Sequence, residues 1–429
     1  MNHGVSESQS SGWTELWRRQ HRPTLSLVCV AVWLHASMAT AISTLVPGVV
    51  SDIQGLKLIP WGFSLYEIGS IVAGAGSGLL VHRYHLRAPM MIAGMVFALG
   101  SARCATAPGM PFLLVGRLIQ GLGGGGLIAM SFIGIGLLFS PALLPRVMAA
   151  VSAVWGSSAF LGPIVGGLFV EHLSWRFAFW TFSGLALMLS IWIAWRVPPA
   201  GERGSPGKAK GFPLWRICLL SMGVVLIAAG GIYVSRITTP MLVCAGLVCL
   251  GIFLQLDGSK DDDRLLPNRP IGLRDPVSAG LTMILCFTLA TMAITVYGPL
   301  FMVHIHGVSV VKAGFIVACS SVGWSIAAIS VSGVNEANDR NMIRTGSLLL
   351  VLSVLGFVVF ISSGPFPLLA ILALIEGAGF GVAWASILRR MLRLACDGDR
   401  ERISAAIPTI QRLGYAVGAA WIGIFANAQ

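Results

Sequence analysis

Charge is scarce in this chain, and acid is scarcer than base. Only 11% of its 429 residues are charged, with 17 Asp and Glu against 29 Lys and Arg. So few charges cannot keep a soluble surface hydrated, and an ordinary soluble domain is excluded. Apolar residues fill the deficit: they make up 55% of the chain, and the mean hydropathy is +0.82. The eight cysteines lie in or beside apolar segments, without a CxxC or a metal-ligand spacing. They read as small core residues, not as disulfides or ligands. The runs GAGSG (74–78), GLGGGG (121–126) and GAGFG (377–381) lie inside apolar helices and lack the lysine that a phosphate loop needs. No Ser/His/Asp, metal or phosphate constellation appears, so neither an enzyme nor a cofactor or metal centre is expected. A cleavable signal peptide is missing as well, since residues 1–23 are polar. Trp13, Trp17, Arg18, Arg19, His21 and Arg22 read instead as an interfacial anchor with cytoplasmic charge.

What remains is a series of hydrophobic runs of bilayer length. Thirteen are expected, near 24–50, 59–81, 88–107, 111–139, 147–170, 177–197, 215–234, 239–256, 276–304, 308–334, 342–363, 366–388 and 403–426. Two polar linkers divide them, VPPAGERGSPGKAKGFP (197–213) and LDGSKDDDRLLPNRPIGLRDP (256–276). The formal charge of +12 would suit nucleic acid, but the basic residues sit in short loops between spans. With the N-terminus inside, the cytoplasmic side receives Arg83, Arg87, Arg146, Arg196, Lys208, Lys210, Arg340, Arg344 and the arginines between 389 and 402. The other side receives little beyond Lys57, Arg103, Arg176 and Arg236. Topology therefore explains the basic excess, and no nucleic-acid partner is expected.

The chain also repeats itself. IQGLGGG (119–125) lies over IEGAGFG (375–381) at an offset of 256, and the same offset lays 146–169 over 402–425. Arg146 then matches Arg402, Gly162 matches Gly418, and Gly167 matches Gly423. In this register the last run corresponds to the fifth, which predicts one further span beyond Gln429.

Within the fifth run, Ser158, Gly162 and Gly166 recur every four residues, along one face of a helix, with Pro163 and Gly167 beside them. Small residues on one face let a neighbouring helix approach closely in lipid. The stretch resembles the fifth-helix signature G-x-x-x-G-P-x-x-G-G of antiporters in the major facilitator superfamily, with Ser158 in place of the first Gly. PFLLVGRLIQGLGGGG (111–126) resembles the family's fourth-helix motif, with Arg117, Gln120 and Gly121 in the matching places. The resemblance implies a part for Arg117 in handling protons or substrate; a snorkelling Arg at the end of the helix is the plainer reading. GLLVHRYHLR (78–87) resembles the gating loop G-x-x-x-D-R-x-G-R through Gly78, Arg83 and Arg87. His82 replaces its Asp and His85 its second Gly, which removes the fixed negative charge. The acid expected nine residues before the first-helix Pro is replaced by Met38, counting back from Pro47. The nearest ionisable group there is His35, either a hydrogen-bonded packing residue or a proton carrier.

Two acids lie deep in spans, Glu67 and Glu376. An intramembrane acid is a candidate functional group, and each could instead be neutralised by Arg117 or Arg412. Glu376, assisted by Glu67 and tuned by Arg117, is the expected proton carrier. Trp155 and Tyr415, near the middle of helices related by the repeat, are the aromatic candidates for a substrate cavity with Gln120.

Together these features predict an all-α polytopic membrane protein of two pseudo-symmetric facilitator-type bundles with an inserted helix pair. The expected divisions are a cytoplasmic segment (1–23), a six-helix bundle (24–197), a linker with the inserted pair (198–275) and a five-helix bundle (276–429). The pair falls where the fourteen-span drug:proton antiporter branch carries two extra helices. The resemblance implies a monomeric, proton-coupled exporter of a small organic compound in the cell membrane, whose partners are its substrate, protons and lipid. A uniporter or symporter of the same fold is the alternative that the missing acids favour. A transport-inactive receptor or scaffold is the other.

Overall fold

The computed structural model describes residues 22–140, 143–197, 213–259, 265–267, 270–331, 334, 336–394 and 400–428. The expected anchor within 1–21, most of the first linker, the acidic run at 261–263 and the side chain of Arg402 lie outside these residues. Thirteen α-helices follow one another, and no strand occurs among the described residues. They are α1 (Arg22–Ile53), α2 (Ile59–Tyr84), α3 (Arg87–Ala105), α4 (Met110–Leu138), α5 (Leu144–His172), α6 (Trp175–Arg196), α7 (Leu214–Ala229), α8 (Thr238–Gly258), α9 (Pro276–His304), α10 (Val310–Ser330), α11 (Asp339–Phe360), α12 (Phe366–Leu394) and α13 (Arg400–Asn427). Each coincides with one of the thirteen expected runs. Eleven are long and apolar enough to cross a membrane. The exceptions are α7, of 16 residues, and α13, which carries Gln411 and Arg412 in its middle.

Helix starts follow local chemistry. Asp275 caps α9 by accepting from the amides of Val277 and Ser278 at 3.0 Å, and Ser309 caps α10 through Lys312 N. Pro60, Pro111 and Pro276 open α2, α4 and α9, where a missing N–H costs nothing.

The sequence repeat becomes a repeat of contacts. Pro47 lies inside α1 and Pro299 inside α9, 252 residues later. Gly69 of α2 faces the Leu118 carbonyl of α4, as Gly323 of α10 faces that of Leu374 in α12. Gly121 packs on Tyr66 and Gly377 on Ser320; Gly125 packs on Ser70 and Gly381 on Trp324. Added Cβ atoms at these crossings would collide with backbone, so glycine is what brings the helices together. In lipid such close approach supplies dispersion contacts in place of a hydrophobic driving force. The inserted α7 packs on α13 through Ile227, Ala228, Ala420 and Ile424, and on α2, whose Trp61 lies against the same cluster.

The two repeats meet along a seam. Met292, Val296, Tyr297 and Leu300 of α9 join the core around α1. Ser321 Oγ of α10 donates to Ala159 O of α5 at 3.0 Å, and Ser64 Oγ of α2 donates to Ala416 O of α13 at 2.9 Å. Ser64 and Leu300 lie towards the end of the seam nearest the α1–α2, α5–α6 and α9–α10 connections, and the Ser321–Ala159 contact lies near its middle. Towards the opposite end, Gly74 and Gly78 of α2 face open space.

Candidate functional site

Midway along the seam, Arg412, Glu67 and His35 come together. Arg412 of α13 reaches across it with both ends of its fork. Nη1 donates to Glu67 Oε2 of α2 at 3.1 Å, and Nη2 to His35 Nε2 of α1 at 2.9 Å. The Arg412 and Glu67 side chains are only 14% and 12% exposed, so the pair is largely withdrawn from solvent. A guanidinium can only donate, so His35 Nε2 accepts and the ring proton sits on Nδ1. Nδ1–H then donates to Tyr66 Oη at 2.9 Å, whose own hydrogen reaches the His35 carbonyl at 3.4 Å. His35 is thus a neutral imidazole in one tautomer, 1% exposed, with the Trp155 ring edge-on at 6.1 Å. This cluster gathers α1, α2 and α5 around one residue of α13.

Arg117 lies behind the cluster, not in it. Its Nε donates to Gly62 O at 3.1 Å, its Nη1 to Gln120 Oε1, and its guanidinium lies 4.2 Å from the centre of the Tyr66 ring. Gln120 in turn donates to Ser101 Oγ at 2.7 Å. At 1% exposure the Arg117 side chain is sealed among α2, α3 and α4, so it does not snorkel. Its cost of burial is met by two acceptors and an aromatic face.

Glu376 is placed elsewhere. It is 2% exposed at the α10–α12 crossing, where Ser320 Oγ donates to its carboxylate. Neither Arg117 nor Arg412 forms a contact with it; the acid that Arg412 pairs is Glu67. One and two turns further along α12, Phe380 and Trp384 stack edge-to-face at 5.6 Å, and Phe380 meets Phe287 of α9 at 5.7 Å. Tyr415 is half-buried and its hydroxyl accepts from Gln411 Nε2 at 3.1 Å. Two small recesses, one by Thr24, Met90 and Arg196 and one by Val46, Phe63 and Met110, lie away from the Arg412 cluster.

The sequence model of the Major Facilitator Superfamily matches residues 28–419. The chain belongs to this superfamily. It is therefore a transporter of the membrane, not an enzyme, and a multi-pass integral membrane protein. The chain is 29% identical over 431 residues to a "probable multidrug-efflux transporter" of Mycobacterium tuberculosis, covering 98% of this chain and 90% of the relative. It is 24% identical over 369 residues to the multidrug efflux pump SdrM of Staphylococcus aureus, covering 83% and 79%. Among solved structures it resembles a bacterial homologue of the lysosomal transporter Spinster, described as inward-facing and unoccupied. The TM-score is 0.68 at 12% identity, over 96% of this chain and 83% of that one. A D-xylose–proton symporter gives 0.62 at 14% identity, over 94% and 90%. At these identities the structures share the fold.

Within this superfamily fold the fifth-helix residues pack inward. A Cβ on Gly162 would collide with Thr40 of α1, and one on Gly166 with Thr44. Thr40 Oγ1 donates to Ser158 O at 3.0 Å, while the Ser158 hydroxyl is buried without a partner. Gly167 turns to α10, 2.9 Å from Val311 Cα measured from an added Cβ, and the Pro163 carbonyl meets Gly314. Helix α5 continues through Pro163 to His172. Gly78, His82 and Arg83, expected in a loop, lie in the last two turns of α2 and are exposed, and Arg87 is half-buried at the start of α3. His85 has φ 58°, the left-handed region that favours glycine, at the place of the motif's second Gly. Met38 is fully buried in the α1 core, and His35, one turn earlier, is the α1 group that reaches the cluster. Sequence reasoning counted Arg412 only as a partner for an acid and left Tyr66 aside. Its adjacency to Glu67 was the available signal.

Proposed function

We propose that the protein exports a small organic compound in exchange for protons, by alternating access of two bundles, 24–197 and 276–429, with the inserted pair in 198–275. The carrying observation is the Arg412 fork, which ties Glu67 and His35 of one repeat to α13 of the other. An ion pair across a seam that must open and close is a natural coupling element, because protonating the acid removes the charge that holds it. Efflux is supported by the two relatives, a probable multidrug-efflux transporter and a multidrug efflux pump.

With the basic loops inside, the closed half of the seam faces outwards and the state is inward-facing. Glu67 is then an anion that has released its proton to the cytoplasm and holds Arg412. A proton arriving from outside neutralises Glu67, frees one arm of Arg412, and leaves His35 as its remaining partner. Arg117 and Gln120 hold Tyr66 in place and so orient His35. Trp155 and Tyr415 flank the cluster and would contact the substrate.

A second reading gives the proton to Glu376. It is favoured by the hydrogen bond from neutral Ser320, since an acid without a cationic partner takes a proton without breaking an ion pair. Inverted membrane vesicles energised to an acidic lumen test the export reading. They should accumulate a fluorescent lipophilic dye and lose it when a proton ionophore is added. Accumulation that survives collapse of the pH gradient would rule out proton coupling.

A further inference from the structure

At the outer end of the seam, two contacts occupy equivalent places in the two repeats. On one side Glu171, in the last turn of α5, crosses to α10. Its Oε1 accepts from Val311 N at 2.7 Å. That amide is one of the orphan donors of the first turn of α10, and its neighbour Lys312 N is already taken by Ser309 Oγ. A carboxylate at this position is also favoured by the helix dipole. On the other side Asn427, at the end of α13, crosses to the 3-10 turn Leu56–Leu58 that leads into α2. Its Nδ2 donates to Lys57 O at 3.0 Å and to Gly231 O at 2.6 Å. Asn427 stands 256 residues after Glu171, the offset of the sequence repeat, and Val311 stands 254 after Lys57, the spacing that relates the α2 and α10 crossings. One turn deeper each latch is backed by a glycine, Gly167 against Val311 and Gly423 against Pro60, which are themselves repeat partners.

We infer that Glu171–Val311 and Asn427–Lys57 are paired outer latches, whose release is required for the outward-open state. One joins α5 to the first turn of α10 and the other joins α13 to the turn leading into α2, so neither can survive separation of the outer ends. They differ in chemistry: one is charge-assisted, the other neutral and braced by the α7–α8 connection through Gly231 and the Lys57 ammonium over Tyr233 at 5.7 Å. The inference rests on the alternating-access reading and on its orientation, but not on proton coupling.

The test is labelling from outside by a membrane-impermeant maleimide. Val296→Cys places a thiol in the closed outer seam, and the wild-type protein, with its native cysteines, sets the background. Removing a latch by Glu171→Ala or Asn427→Ala should raise the outside labelling rate of Cys at 296 about threefold to tenfold, and removing both should raise it further. Glu171→Gln retains an acceptor oxygen and should stay closer to the unmodified gate, which separates the latch from mere packing. A disulfide between Glu171→Cys and Val311→Cys should abolish that labelling until it is reduced. The inference is overturned if the inserted double alanine variant labels at the unmodified rate, or if its labelling rises only from the cytoplasmic side. Dye accumulation in inverted vesicles is a separate readout, so a failure of proton coupling would not be mistaken for a failure of the latches.

Discussion

Arg117 shows how a single buried charge is made tolerable. Its two hydrogen bonds and the Tyr66 face match a planar fork, which a lysine cannot reproduce. Arg117→Lys should therefore lower the thermal stability of the purified protein, by about 3 kcal/mol. An unchanged melting temperature would mean that the arginine is not the framework described above. Ser158 presents the opposite case, a buried hydroxyl without a partner in the tight face of α5. Ser158→Ala keeps the backbone acceptor that Thr40 uses and removes the unsatisfied group. It should stabilise the protein by about 1 kcal/mol, and a fall in melting temperature would show that the hydroxyl has a role. The identities of these buried groups were legible in the sequence, because charge and polarity stand out in apolar runs. Their partners were not. Glu67 and Arg412 are 345 positions apart, and only the packing of α2 on α13 decides that this acid, not Glu376, meets the arginine.

At the scale of helices, glycine position separates packing faces from open ones. Gly162 is closed by Thr40, whereas an added Cβ at Gly74 of α2 meets nothing within 4 Å. Gly162→Leu should leave an inserted protein with transport abolished by overpacking, while Gly74→Ala should be tolerated and gain about 0.5 kcal/mol of helix propensity. Transport by an inserted Gly162→Leu protein would remove the case for the α1–α5 contact. At the turn after α2, His85 keeps φ 58° with ψ 175°, a glycine region that costs another residue about 1–3 kcal/mol. His85→Gly should raise the melting temperature accordingly; a loss would show that the imidazole compensates for the strain. All thirteen helices were readable as apolar runs, because bilayer thickness sets their length. The small-residue spacing of α5 gave away a contact face but not its partner, since α1 and any other neighbour would have required the same glycines.

The whole molecule is two repeats held by contacts at the outer end of a seam and by one arginine at its middle. The repeat itself was legible at an offset of 256, and the contacts extend it to α2 and α10 at a spacing of 254. What sequence could not supply is the register of one repeat against the other, and the latches and the Arg412 fork both depend on it. On the proposed reading, with the basic loops inside, the state is inward-facing and Glu67 is ionised. If the fork couples protons to this movement, the acid is indispensable only for uphill transport. The most direct measurement is therefore dye transport by Glu67→Gln in reconstituted vesicles, with and without an imposed pH gradient. The amide keeps the shape and the acceptor oxygen facing Arg412 but can neither bind nor release a proton. Gradient-driven accumulation should be lost while downhill exchange of the dye continues near the unmodified rate. Gradient-driven accumulation by Glu67→Gln at the unmodified rate would contradict the account.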